Sequence, residues 1–361
     1  ANVDRSLIGL QSASLTTERA RENLKLSVIS SYYTALEAKK TIGVRQESVD
    51  NYQKHLDNTS ALFSAGDTAK VEVLRASVAL SEARQKLIVA QNSYDVELAR
   101  LRNYINMDRG EPLTLTDDFV YEAMDLPMDN CLRYAFANRK DLTTLRNTLA
   151  QRELDLKIAK ADYLPTVNLS VGGSHSNDFQ PTSSNNQGIS AGASLSWKLF
   201  DSGITKAKVD AAEADLEKAK LALLQGKEDI DLAMREAYLN MRQAEKRFIS
   251  TGDAVKEAKE DYYIASEKYR IGEGIFLDVI DAEVALSTAQ LDYISAQYEY
   301  ARYKARVENI MGLGLDDWEA KSAQLMELEG KNHPLSKAEK FDDEDIALSD
   351  DKARAERRAA K

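Results

Sequence analysis

The sequence predicts a mainly α-helical fold carrying one transmembrane β-hairpin, in which long antiparallel coiled-coil helices form either a bundle or the wall of an α-barrel. Three observations predict it. Two very long segments keep a helical apolar period without a single Pro; the stretch Tyr163 to Phe200 alternates with period two; and the two helical segments are copies of one another.

The helices come first in the chain. The five prolines stand at 112, 127, 165, 181 and 334, outside both long segments. Residues 1–107 read as a first-repeat helical hairpin, with helices over 4–62 and 68–107. The turn between them is FSAGDTAK, where Gly66 is the residue suited to reversing the chain. Residues 108–162 read as a loop, MDRGEPLTLTDD and EAMDLPMDN, followed by helices over 128–138 and 142–162. After the period-two stretch (163–204), residues 205–315 repeat the helical hairpin, with helices over 205–269 and 277–311 around the turn IGEGIF. Residues 316–361 are a short remnant and a charged tail poor in large apolar residues, expected to be disordered.

The repeat is read by placing Gly66 on Gly272, an offset of 206 residues, 272 minus 66. Val73, Ala76, Leu80, Ala83, Ala90 and Tyr94 then fall on Val279, Ala282, Leu286, Ala289, Ala296 and Tyr300. Backwards, Val49, Ala38 and Tyr32 meet Val255, Ala244 and Tyr238, with no gap. So large a unit means two lobes and not a solenoid. Each lobe carries two adjacent apolar stripes rich in Ala, which fits a helix with close neighbours on both sides; an ordinary antiparallel bundle fits the periodicity equally well. A helix of roughly 60 residues is about 90 Å long, which suits a structure that spans a distance.

In the period-two stretch, Val167, Leu169 and Val171 alternate with Asn168, Ser170 and Gly172. Ile189, Ala191, Ala193, Leu195, Trp197 and Leu199 alternate with Ser190, Gly192, Ser194, Ser196 and Lys198. Two runs of about ten such residues match strands that cross a bilayer as part of a barrel. The apolar set would face lipid and the polar set the lumen. Tyr163, Trp197 and Phe200 stand where interfacial aromatics belong. A soluble hairpin capping a bundle would alternate in the same way. Barrel edges cannot stay open in lipid, and one hairpin in each of three chains gives six strands, fewer than the smallest barrels. The first lobe is therefore expected to have its own hairpin, upstream of residue 1 together with a helix and a signal peptide, so that a trimer reaches twelve strands.

Composition excludes other classes. The net charge of −11 argues against nucleic acid as a partner. The single Cys131 makes no internal disulfide, and His55, His175 and His333 lack ligand spacing and read as solvated. No apolar run reaches the length of a transmembrane helix. ANVDRS at the start offers no targeting segment, so either the protein is cytoplasmic or the sequence begins after one. Neither GEGIF nor GLGLDD has the Lys or the strand–helix context of a phosphate loop, and no Ser-His-Asp set is legible; no enzyme and no cofactor are expected.

AKADYLPTVNL (159–169), LSWKLFDSG (195–203) and YRIGEGIFLDVIDAEVALSTAQ (269–290) resemble the TolC-like outer-membrane efflux proteins, over about residues 4–315. Lys198 stands where that family commonly has Pro. The resemblance implies a homotrimer in outer-membrane lipid whose helices form a periplasmic tunnel. It further implies a periplasmic adaptor and an inner-membrane pump as partners, in efflux or type I secretion. It puts adaptor docking and gating at the helix-tip turns, Gly66, Gly272 and Gly274. Asp278 and Asp281 occupy the places of two aspartates that ring the closed tip; six carboxylates there would favour cations. Glu72 faces the same tip by the repeat. Tyr269 occupies the place of a tyrosine that helps lock the closed state, whereas the basic partner expected near Gly274 is absent. A soluble coiled-coil tether or scaffold is the alternative reading.

Overall fold

The computed structural model describes residues 1–108, 110–115, 119–176 and 186–313. The charged tail and the tip of the β-hairpin therefore lie outside the described residues. The element order is α1 (Asn2–Ala65), α2 (Lys70–Tyr104), α3 (Met128–Asn138), α4 (Lys140–Ala161), β1 (Thr166–Ser176), β2 (Asn186–Ser196), α5 (Ile204–Arg270) and α6 (Phe276–Met311). Each helix read from the sequence is present, with ends within a few residues of those expected. The two long helices run to 64 and 67 residues unbroken.

The chain divides into two compact units, residues 1–24 with 135–236 and residues 25–134 with 237–361. In the first, α4 runs antiparallel to the start of α1. Gln151 donates to the Arg5 carbonyl, Asn147 to Ser12, and Lys140 pairs with Glu18. On its other side α4 meets α5 through Lys160–Glu213 and Asp162–Lys208, with Leu142 fully buried. Such exposed ion pairs fix register more than they stabilise. The strands β1 and β2 pair antiparallel in one register, Val167 opposite Leu195 and Val171 opposite Ala191. The period-two pattern therefore puts every large apolar side chain on one face. At the exit, the Asp201 carboxylate accepts from the N–H groups of Gly203 and Thr205, caps the first turn of α5, and is held below the usual carboxylate range chiefly by Thr205.

In the second unit, the two helical hairpins α1/α2 and α5/α6 pack around two apolar clusters. Ala35, Leu36, Leu98, Leu101, Leu115 and Tyr298 make one; Val49, Tyr52, Leu80 and Ala83, with Ile280 against them, make the other. The segment before α3 is bound down rather than looped out. Lys39 donates to the Leu115 carbonyl, Tyr121 to Glu245 at 2.6 Å, Tyr300 to the Glu122 carbonyl and Tyr238 to the Leu126 carbonyl. Phe248 lies face-on to both Tyr121 and Tyr293.

Candidate functional site

The two tip turns are built alike. Gly66 and Gly272 both have positive φ, +88° and +82°, where a Cβ is strained. At each, the glycine N–H bonds the carbonyl three residues back and the next N–H the carbonyl five back: Gly66 to Phe63 and Asp67 to Leu62, Gly272 to Tyr269 and Glu273 to Lys268. This is a Schellman cap. Gly274 closes the second turn further. Its N–H also bonds Lys268, and a Cβ there would come within 3.1 Å of the Tyr269 nitrogen.

Above the second tip lies a polar seam. One stripe of α1, Arg45, Ser48, Asn51, His55 and Thr59, steps by three or four residues and faces the second hairpin. Arg45 donates to Ser287 at 3.1 Å, and Asn51 to the Glu283 carboxylate at 3.0 Å, which Ser48 also bonds. His55 Nε2 and the Tyr262 hydroxyl are 3.2 Å apart, and the Thr59 and Tyr269 hydroxyls 3.1 Å. Tyr262, Tyr269 and Phe276 set their rings around the His55 imidazole at centroid distances of 6.3, 6.4 and 6.0 Å. Thr59, Glu283 and Phe276 are all buried. Burial pushes the Glu283 carboxyl up and the His55 imidazole down; for Glu283 the nearby Glu47 adds to the rise, and for His55 Lys54 adds to the fall. Burial, with Glu283 beside it, also pushes Tyr52 up to about 12. His55 is thus not solvated, as its sequence neighbours suggested, but half-buried between two helices.

Of the tip residues singled out from sequence, Tyr269 belongs to this seam. Asp278 and Asp281 do not: both are exposed, three residues apart on one face of α6, beside the stripe of buried Val279 and Ala282. Among the described residues no ion pair joins either. Glu72 holds Arg75 at 3.1 Å. By the repeat, Glu72 and Arg75 are the counterparts of Asp278 and Asp281, so the first tip carries an ion pair where the second carries two bare carboxylates.

In the first unit, Val167, Leu169, Val171, Ile189 and Leu195 are 67–91% exposed on one face of the hairpin. The opposite face is small and polar. Ser170, Ser174 and Ser190 donate to the carbonyls of Gly192, Gly188 and Gly172, the residues directly across. Trp197 Nε1 donates to the Tyr163 carbonyl at 3.2 Å, joining the start of one strand to the end of the other, and Phe200 stands free of the sheet at 88% exposed. So large an apolar face on a two-stranded sheet requires a cover. No helix among the described residues is long and apolar enough to cross a membrane, and no cluster among them could hold a metal ion.

The described residues thus comprise paired long helical hairpins and a β-hairpin with one bare apolar face. The chain belongs to the outer membrane efflux protein family, whose sequence model matches residues 1–107 and 132–313. It is 24% identical over 324 residues to the alkaline protease secretion protein AprF of Pseudomonas aeruginosa, covering 84% of this chain and 65% of AprF. It is 21% identical over 319 residues to the outer membrane protein TolC of Escherichia coli, covering 84% of this chain and 64% of TolC. The chain thus spans somewhat less than two thirds of the length of these relatives. Among solved structures it superimposes on the Campylobacter jejuni CmeC outer membrane channel with a TM-score of 0.76 at 18% identity, over 89% of this chain and 69% of CmeC. The OprN outer-membrane channel gives 0.76 at 23% identity, over 86% and 70%. These likenesses show the fold: long helical hairpins with a β-hairpin, as in a single subunit of those channels.

Proposed function

We propose that this protein is the outer-membrane exit duct of a tripartite efflux or type I secretion system. It conducts cargo passively from a periplasmic adaptor and inner-membrane pump, carries out no chemistry of its own, and is gated at the helix tips. The observation that carries this reading is the combination of an exposed apolar hairpin face in the first unit with two bare carboxylates just past the Gly272 turn in the second. The first suits lipid; the second suits a constriction lined by negative charge.

The repeat supports a trimer. In the chain, the α1 stripe at 45–59 meets α5 and α6. The same stripe one repeat on, Thr251, Ala254, Glu257, Asp261 and Ala265, lies on α5, where Ala254, Glu257 and Asp261 are exposed. If lobe two meets lobe one of the next copy as lobe one meets lobe two within a chain, the contact is heterologous and closes into a ring. Three chains then make a wall of six hairpins around Asp278 and Asp281. Adaptor docking belongs at the turns of Gly66, Gly272 and Gly274; Tyr163, Trp197 and Phe200 mark the membrane interface. Opening separates the Gly272 hairpin from α1.

The test is the full-length protein in membranes. Heat-modifiable trimers extracted only by detergent, with discrete conductance steps in planar bilayers, are expected. A monodisperse monomer stable without detergent would instead identify a soluble coiled-coil tether.

A further inference from the structure

The polar seam does more than fasten the tip. We propose that His55 and Glu283 are paired positioning residues that hold the Gly272 hairpin against α1, each only in its neutral form, so that the seam loosens in acid through one and in alkali through the other. The inference rests on the gating reading above.

The geometry is particular to these two side chains. His55 is inserted from α1 into rings contributed by both helices of the second hairpin, Tyr262 and Tyr269 from α5 and Phe276 from α6. Phe276 is 3% exposed. A charged imidazolium has one neutral hydroxyl, that of Tyr262, within bonding distance there. Glu283 is 2% exposed on α6 and meets only the neutral donors of Ser48 and Asn51. Among the described residues no ion pair compensates it. The charged groups around the seam do not rescue either. Glu47 raises Glu283 further, and Glu82 and Asp281 act on Tyr52 with the same sign; Arg45 is committed to Ser287, one turn on. Lys54 opposes a charge on His55.

The signs follow from linkage. Glu283 is raised above the ordinary 4.5 when buried, so the seam keeps its full strength below about that value and loses it as pH rises through the raised one. His55 is lowered below the ordinary 6.5, so its share is complete above that value and lost as pH falls through the lowered one. The two trends oppose, and the wild-type seam is buffered against pH between them. Neither residue has a repeat counterpart that could do this: the equivalents are Asp261, which is exposed, and Ser77.

The variants separate the two groups. Glu283→Gln keeps the shape and the donors without the titration; His55→Phe keeps the ring packing without it. Spin labels on exposed Asn58 and Glu273 of the full-length protein read the gap between α1 and the tip hairpin. In E283Q the separated population is expected to grow as pH falls below 6.5, by up to about tenfold per pH unit of titration difference. In H55F it grows as pH rises above 4.5, and the double variant is flat. Asn51→Ala, which removes a donor but not the acid, moves the alkaline loosening to lower pH, because the buried carboxylate is worse solvated and the closed seam weaker; this arm decides the matter if E283Q does not fold. Single variants that respond in the same direction, or a double variant that keeps a response, overturn the proposal. Conductance recorded alongside keeps the two readings apart: labels that respond in a protein that never conducts sink the duct and leave the seam.

Discussion

The two helical hairpins share a backbone and differ in chemistry. Their turns use the same cap at Gly66 and Gly272, and their second helices start at equivalent extended residues, Ala69 and Ile275, neither with a side-chain cap. They even end alike, at Asn106 and Gly312, both with positive φ. Yet Phe276 is buried where Lys70 is exposed, Glu283 is buried where Ser77 is exposed, and Asp281 stands where Arg75 pairs with Glu72. Duplication preserved the rod and its turns, which any wall of helices needs. The two hairpins differ at a few positions above the tip, where the second is fastened to α1 and carries an unneutralised acidic face.

Substitutions at matched positions sharpen the contrast. Phe276→Ala should have the largest effect, about 3–5 kcal/mol, as for a buried aromatic that leaves a cavity; its counterpart Lys70→Ala should be silent within about 0.5 kcal/mol. Denaturant midpoints of the full-length protein in detergent measure both, and equal losses would break the comparison. Tyr269→Phe removes one of the two hydrogen bonds of buried Thr59, whose hydroxyl still donates to the His55 carbonyl, and should cost about 0.5–1.5 kcal/mol. The reverse change at the matching position, Phe63→Tyr, should leave the midpoint where it is, since Phe63 is already partly exposed. Gly272→Ala and Gly66→Ala should each cost about 1 kcal/mol for the positive φ, and should be equal, because the caps are the same. The smallest effect on stability is expected from Arg75→Asp, an exposed site. Its consequence is electrical: it gives the first tip a bare acidic pair and should raise cation preference in bilayer recordings.

Much of this was legible in the sequence because it is local. Helix ends follow Gly66, Gly272 and the placement of Pro; the two faces of the hairpin follow a period of two over residues 167–172 and again over 189–199. The seam was not legible, because its partners are remote: His55 and Tyr262 are 207 residues apart and Asn51 and Glu283 are 232 apart. His55 sits beside Lys54 and near Asp57, which makes it look solvated. A signal was present all the same. Ser48, Asn51, His55 and Thr59 form an uncharged stripe on a helix whose intervening positions include Glu47, Asp50, Lys54 and Asp57. Uncharged polar residues at helical spacing mark a face that meets protein rather than water. The anchoring of the segment before α3 by Tyr121 and Glu245, 124 residues apart, escaped for the same reason.

The central claim is that the acidic face of α6 lines the aperture of an outer-membrane duct. Reversal potential across a salt gradient, recorded for the full-length protein and for Asp278→Asn with Asp281→Asn, tests it most directly. The wild-type channel should prefer cations and the double variant should lose most of that preference at unchanged stability. An identical reversal potential in both would show that these carboxylates face away from the pore.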